Sequence, residues 1–248
     1  MKSSPSQVEI LGIPFSRRSK KETYEFLHSL LKTNRPVRIF TPNPEMLCRA
    51  CQDPSLRKHL LEADLLLPDG VGVILASKIK FAPLPERVTG IDTGEWLLRY
   101  AARHSMSVFL LGGKHGVAER AKKELLVRIP SLKICGTHHG YFDPQTNSSE
   151  NQRVLEKIRT ANPDFLFVCL GSPRQERWIM ENSRKIPSLR LSIGLGGALD
   201  VWSKNVTRAP KFVQRCGAEW LWRTVQDPKR IARLRYLPVF LWKAILDL

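Results

Sequence analysis

The sequence predicts an α/β protein, a mostly parallel sheet flanked by helices and followed by a basic helical C-terminal appendage. Short apolar runs alternate with amphipathic helical patterns, as crossover units feeding a parallel sheet require. Glycines and short polar residues stand directly after most of those runs, where open parallel sheets bind ligands. From about Lys204 onward the composition shifts: residues 204–248 hold ten Lys/Arg and three acids, about three times the net charge density of the rest.

The strand-like runs are 8–13, 37–40, 65–67, 108–111, 132–135, 165–170 and 189–193, with helices filling the gaps. Ser19 with Glu22 three residues on reads as a capping box opening the first helix, and Asp53-Pro54 as an N-cap with a first-turn proline. A core over 1–203 and an appendage over 204–248 is the expected organisation. The appendage interleaves its cations with Phe212, Trp220, Trp222, Tyr236, Phe240 and Trp242. Residues 237–248 add an apolar stretch too short to cross a bilayer but able to lie in its surface.

With 248 residues, 42% hydrophobic and 25% charged, the chain is neither disordered nor a small disulfide-stapled scaffold. Forty Lys/Arg against 23 Asp/Glu give a net charge of +17, which favours anionic partners: phosphodiesters, nucleotides or an acidic lipid surface. Residues 1–10 lack the build of a secretion signal, and no run reaches the roughly 18 apolar residues of a spanning helix. Five cysteines, an odd number scattered through helical and strand patterns, fit reduced thiols in a cytosolic protein. Cys48 and Cys51 form a C-x-x-C with no second pair or histidine cluster to complete a zinc site, which leaves them as small residues on a helix.

The strand ends carry the chemistry. Asp69, between Pro68 and Gly70, sits on a sharp turn that suits a general base; capping the helix that begins near Gly70 is the structural alternative. Thr41 and Asn43 in T-P-N-P-E suit sugar hydroxyls or an acetamido group, although Asn43 before Pro44 is also a common helix start. Arg174 and Gln175 follow Gly171 at a helix start, where free amides and the helix dipole favour phosphate; Arg174 as a solvated surface charge is the alternative. No Asp-x-Asp occurs, so a diphosphate would be met by Arg, Lys and helix termini, and no metal is expected. No P-loop is present, and Leu199 stands where a dinucleotide fingerprint wants its third glycine.

Taken in order, T-P-N-P-E at 41–45, A-D-L-L-L-P-D-G-V-G-V at 63–73, E-R-V-T-G-I-D at 86–92, F-L-L-G-G at 109–113, G-Y-F at 140–142, G-S-P-R-Q-E at 171–176 and G-L-G-G-A-L-D at 194–200 resemble the bacterial WecG/TagA/CpsF glycosyltransferases over nearly the whole chain. The resemblance implies a Rossmann-like, metal-independent enzyme with no cofactor. It would work peripherally at the cytoplasmic face of the membrane, on a polyprenyl-diphosphate-linked sugar acceptor. In the TagA branch N-acetylmannosamine passes from a UDP-sugar donor to polyprenyl-diphosphate N-acetylglucosamine, in wall teichoic acid synthesis. The resemblance makes Asp69 the base, with Thr41 and Asn43 beside it on the sugar and Arg87 in donor or acceptor recognition. It puts Tyr141, Gln175 and Asp200 in the nucleotide pocket. Arg223, Arg230 and Arg233 resemble the arginines by which the appendage completes the site, Arg230 and Arg233 sharing a helical face at i and i+3.

Three alternatives remain open at this level. One is the same family with UDP-N-acetylmannosaminuronic acid or UDP-glucose as donor; the others are a basic nucleic-acid-binding module and a membrane adaptor on the same scaffold. The nucleic-acid reading leaves the polar strand ends unexplained, so no nucleic-acid partner is expected. An anionic membrane surface is expected, and a homo-oligomer is compatible with the sequence.

Overall fold

The structure, a computed structural model, describes residues 7–33, 35–226, 231 and 235–247, with the side chains of Arg215 and Arg223 outside that description. Its elements are β1 (Gln7–Ile10), β2 (Ile13–Ser16), α1 (Lys20–Leu31), β3 (Val37–Phe40), α2 (Pro44–Ala50), α3 (Pro54–Leu61), β4 (Leu65–Leu66), α4 (Val71–Ile79), α5 (Gly90–Arg103), β5 (Ser107–Gly112), α6 (Val117–Arg128), β6 (Lys133–His138), α7 (Ser149–Ala161), β7 (Phe165–Cys169), α8 (Arg174–Asn182), β8 (Leu191–Gly194), α9 (Ala198–Trp202), α10 (Lys211–Arg215), α11 (Glu219–Gln226) and α12 (Tyr236–Leu246). Two compact units result: Met1–Glu25 with Thr41–Thr89 and Val206–Leu248, and Phe26–Phe40 with Gly90–Asn205.

The second unit holds the predicted parallel sheet. Its strands lie in the order β3-β8-β7-β5-β6, every neighbouring pair parallel. All five residues of β7 and all four of β3 and β8 are buried, which is why these strands read as near-continuous apolar runs rather than alternating ones. From β5 the chain passes to β6 on one side, while β7 and β8 follow on the other. The order therefore reverses between β5 and β7, the place where open α/β sheets leave a crevice beyond their carboxyl ends.

In the first unit, the run 8–13 is not one strand feeding that sheet, as the sequence suggested. It is an antiparallel hairpin, Gln7 opposite Ser16 and Ile10 opposite Ile13. Leu11 (φ 52°) and Gly12 (φ 70°) both take left-handed conformations, as a two-residue hairpin turn of primed type requires. Leucine resists that conformation, and its peptide is held from both sides. Arg57 Nη1 donates to Leu11 O at 2.8 Å, and Leu11 N donates to Asp247 Oδ2 at 2.9 Å. Asp247 also accepts from Lys80 Nζ at 2.7 Å, so one carboxylate beyond α12 joins the hairpin to the residue that ends α4.

Helix α12 packs against α2 and α4, with Phe240 and Ala244 fully buried. Gly72 permits the approach: a Cβ there would lie 2.6 Å from Pro44 Cγ and 2.7 Å from Leu237 Cδ1. The local start signals hold. Ser19 N donates to Glu22 Oε2 at 2.8 Å, and Asp53 Oδ1 accepts from Ser55 N and Leu56 N at 3.0 Å.

In the second unit Gly112 ends β5 at φ 136°, and a Cβ there would overlap the carbonyl oxygen of Cys169 on β7. Gly112→Ala is expected to cost about 3 kcal/mol or more of unfolding free energy, the sum of backbone strain and overpacking. Denaturant unfolding checks this, and a value within about 0.5 kcal/mol of the unaltered protein would contradict it.

Candidate functional site

In the second unit the loops after β5, β6 and β7 are fastened in a row. Gly113 N donates to Cys169 O at 3.3 Å, and Gly113 O accepts from Gly140 N at 2.8 Å. Arg174 completes the row. Its Nη2 donates to Gly140 O at 2.9 Å and to Phe142 O at 3.1 Å. Through Nη2 this guanidinium braces the G-Y-F loop that carries Tyr141.

Beside it the imidazoles of His115 and His139 lie in contact, centroids 3.7 Å apart and planes tilted by 39°, and the Tyr141 ring lies 6.1 Å from His115. Tyr141 is 61% exposed, so these rings make a shelf open to a flat ligand. Tyr141 N donates to His139 Nδ1 at 3.2 Å, which leaves Nε2 to carry the proton of the neutral ring. Burial, then the neighbouring His138 and His115, push the His139 pKa below its ordinary value.

Gln175, 3% exposed, joins the next two loops. Its Oε1 accepts from Gly196 N at 2.9 Å, and its Nε2 donates to Glu176 Oε1 at 2.7 Å. Asp200 stands half-buried in the first turn of α9, directly after that glycine loop. Burial pushes the Cys169 thiol up to about 12, so it stays neutral and is no nucleophile.

In the first unit Thr41 is buried, and Asn43 is the N-cap of α2, its Oδ1 accepting from Met46 N at 3.0 Å. The helix-start reading of Asn43-Pro44 is thus correct for that oxygen. Asp69 is half-buried on the turn after β4, and the N-cap of α4 is Gly70, not Asp69. The two loops touch: a Cβ on Gly70 would lie 2.9 Å from Pro44 Cδ and 3.5 Å from Asn43 Cβ. The structure therefore brings Asn43 and the Asp69 turn together.

The C-terminal segment reaches the same place, since a Cβ on Gly217 would lie 3.0 Å from Val71 Cγ2. Arg87 Nη2 donates to Gln214 O at 3.2 Å and lies 3.6 Å from Glu219 Oε2, while Arg208 Nε lies 3.8 Å from Glu219 Oε1. Arg87 is thus tied into the segment that packs beside the Asp69 turn. Arg230 and Arg233 lie outside the described residues, as does the side chain of Arg223. Among the described residues no group of three or more His, Cys, Asp or Glu is placed to hold a metal ion, and no helix is long and apolar enough to cross a membrane.

A model of the glycosyl transferase WecG/TagA/CpsF family matches residues 8–248. The chain belongs to this family. Similar relatives include the N-acetylglucosaminyldiphosphoundecaprenol N-acetyl-beta-D-mannosaminyltransferases of Staphylococcus aureus strains MW2 and MRSA252, each 32% identical over 244 residues, 98% of this chain and 93% of the relative. As a WecG/TagA/CpsF glycosyltransferase the chain is a hexosyltransferase, and its parallel sheet, with the strand order reversing between β5 and β7, is the Rossmann-like scaffold the motifs implied.

Sequence reasoning left the touching His115–His139 pair and Glu176 unassigned. Glu176 lies inside a quoted motif and the two histidines close beside two others, but ring contact and enclosure are tertiary properties that no spacing shows. His139 is expected to titrate below 6.5 by NMR. Because burial leads the cause, His115→Ala should raise the midpoint only part of the way. The folded ring binds a proton less readily than the unfolded one. This group therefore removes stability as pH falls from 6.5 toward its folded value, and removes none above 6.5.

Proposed function

We propose that the protein transfers N-acetylmannosamine from UDP to polyprenyl-diphosphate-linked N-acetylglucosamine, with inversion and without a metal ion, in wall teichoic acid or a related surface polysaccharide. The transferred sugar and the acceptor class come from the name of the relatives, and UDP as the carrier from the resemblance. The observation that carries the assignment of roles is the turn Pro68-Asp69-Gly70, a carboxylate on a glycine-flanked bend packed against Asn43 with the C-terminal segment alongside.

Asp69 takes the proton of the acceptor hydroxyl as that oxygen bonds to the anomeric carbon. The bond from that carbon to the diphosphate oxygen breaks, and UDP leaves with the electron pair. Thr41 and Asn43 orient sugar groups. The shelf of His115, His139 and Tyr141 takes the uracil face, while Gln175 and Asp200 line the nucleotide pocket. Arg223, Arg230 and Arg233 meet the charge on the departing diphosphate, with Arg87 anchoring the segment that carries them.

An anionic membrane surface is the further partner, on the cytoplasmic side where UDP-sugars are found. Helix α12 is apolar nearly all round: Phe240 and Ala244 face inward, while Val239, Trp242, Ile245 and Leu246 are exposed. Soluble surfaces rarely leave such a helix face in water. Phe81, 90% exposed, follows Lys80, which is tied to Asp247 at the end of α12, so the apolar surface continues past the helix.

Asp69→Asn is expected to lower kcat for sugar transfer by about 10²- to 10⁴-fold while leaving affinity for the UDP-sugar nearly unchanged, with EDTA having no effect on the unaltered enzyme. Near-normal turnover in the variant would overturn the base assignment. Phe81→Ser is expected to weaken partition onto phosphatidylglycerol vesicles about tenfold in co-sedimentation without altering turnover of a short-chain acceptor; unchanged partition would remove Phe81 from the docking surface.

A further inference from the structure

Glu176 is the acid of the G-S-P-R-Q-E motif, and neither the resemblance nor the proposed reaction has a use for it. It is fully enclosed, 0% exposed, on the first turn of α8. No cation among the described residues pairs with it. Arg174 donates to the Gly140 and Phe142 carbonyls, Arg38 on β3 to Met180 Sδ, and Lys185 beyond α8 to Asn182 Oδ1. Oε1 accepts from Gln175 Nε2 at 2.7 Å, and Oε2 has no hydrogen-bond partner among the described residues.

Enclosing an ionised carboxylate without a cation costs far more than protonating it. Burial accordingly pushes the Glu176 pKa up, against the smaller downward pulls of the Gln175 amide, its own backbone N–H and the Ser172 hydroxyl.

Its neighbour shows what a neutral acid does there. The Gln175 amide lies flat against Gly194, where a Cβ would come within 2.8 Å of Nε2. The amide oxygen takes the Gly196 N–H and the amide nitrogen gives a proton to Glu176. Flipping the amide would set N–H against N–H at Gly196. One loop after β7 and one after β8 are thus latched through a single side chain, and both lie at the sheet edge where the proposed reaction puts the nucleotide. An ionised group there would set an uncompensated negative charge beside a diphosphate.

We propose that Glu176 is a positioning residue held as the neutral acid. Its carbonyl oxygen fixes the Gln175 amide, and through it the spacing of the 171–176 and 194–200 loops, without adding charge to an anion site. The nucleotide part of this inference rests on the proposed function; the latch itself does not.

Three variants of the full chain test it. Glu176→Gln keeps an acceptor oxygen and should preserve the latch. Glu176→Leu fills a similar volume but removes the acceptor, and should speed hydrogen exchange at the Gly196 amide about tenfold relative to the unaltered protein, the equivalent of one lost hydrogen bond. Gln175→Leu should speed that exchange at least as much. In infrared difference spectra at pH 8, unaltered protein minus Glu176→Gln should show a protonated carboxyl band that shifts in D₂O.

Carboxylate bands in place of that band, or Gly196 exchange unchanged in Glu176→Leu, would overturn the proposal. Where UDP-sugar turnover is measured, Glu176→Leu should raise KM about tenfold and Glu176→Gln should restore it to within about threefold. Absence of any UDP-sugar turnover in the unaltered protein would count against the proposed function alone, since the infrared band and the exchange rates decide the latch without a substrate.

Discussion

The backbone approach between β5 and β7 sets the geometry of the second unit. Gly112 must lie against the Cys169 carbonyl at a φ closed to residues with a Cβ, and this close pairing falls where the strand order reverses. Every polar feature at that edge is hung from it. Gly113 bonds to Cys169 and Gly140 to Gly113, Arg174 spans Gly140 and Phe142, and the Tyr141 shelf follows. A side chain at 112 would wedge open the first link and loosen the others, so the glycine acts as a structural constraint with a functional result rather than as a ligand contact.

The first unit is organised by two acids, one buried and one at the surface. Glu219 lies near Arg87 and Arg208, while Asp247 holds Lys80 and the strained Leu11 peptide. In a chain of net charge +17 these few acids decide which cations are spent on structure. The C-terminal segment is attached to this unit near Gly217, beside Val71, and at Asp247, beside Leu11 and Lys80. It is held without apolar burial on the outward face of α12, which is left for another surface. The same design explains why the composition shift at Lys204 is so sharp: the segment must supply both the few residues that fasten it and the surplus of positive charge.

Much of the fold was legible because its signals are local. Ser19 with Glu22, Asp53 with Pro54 and Asn43 with Pro44 act within one helical turn, and the buried parallel strands announce themselves as unbroken apolar runs. The hairpin at 7–16 was not legible. Leu11-Gly12 lacks the Asn-Gly or Asp-Gly pair that marks a primed turn, and Leu11 holds its conformation only through Arg57 and Asp247, which lie 46 and 236 residues away. The site divided along the same line. Which loops carry polar groups could be read from strand ends, but Arg174 as a brace and Glu176 as an enclosed acid depend on what lies above them in space.

Asp69 and Glu176 show why residue type alone assigns no role. Both are carboxyl groups placed one to three residues from a proline and within a few residues of a strand end. One is half-buried on a bend between Pro68 and Gly70; the other is sealed behind Gln175 with one oxygen unpartnered among the described residues. Proton abstraction requires an ionised oxygen within reach of the hydroxyl, whereas holding an amide requires an acceptor that brings no charge. Exchanging the two environments would defeat both tasks, since an enclosed acid already carries its proton and an exposed one exchanges its hydrogen bonds with water. The strand ends therefore do more than collect polar residues: by burying some and leaving others partly open, they give the same residue type the two environments that the proposed base and the proposed latch require.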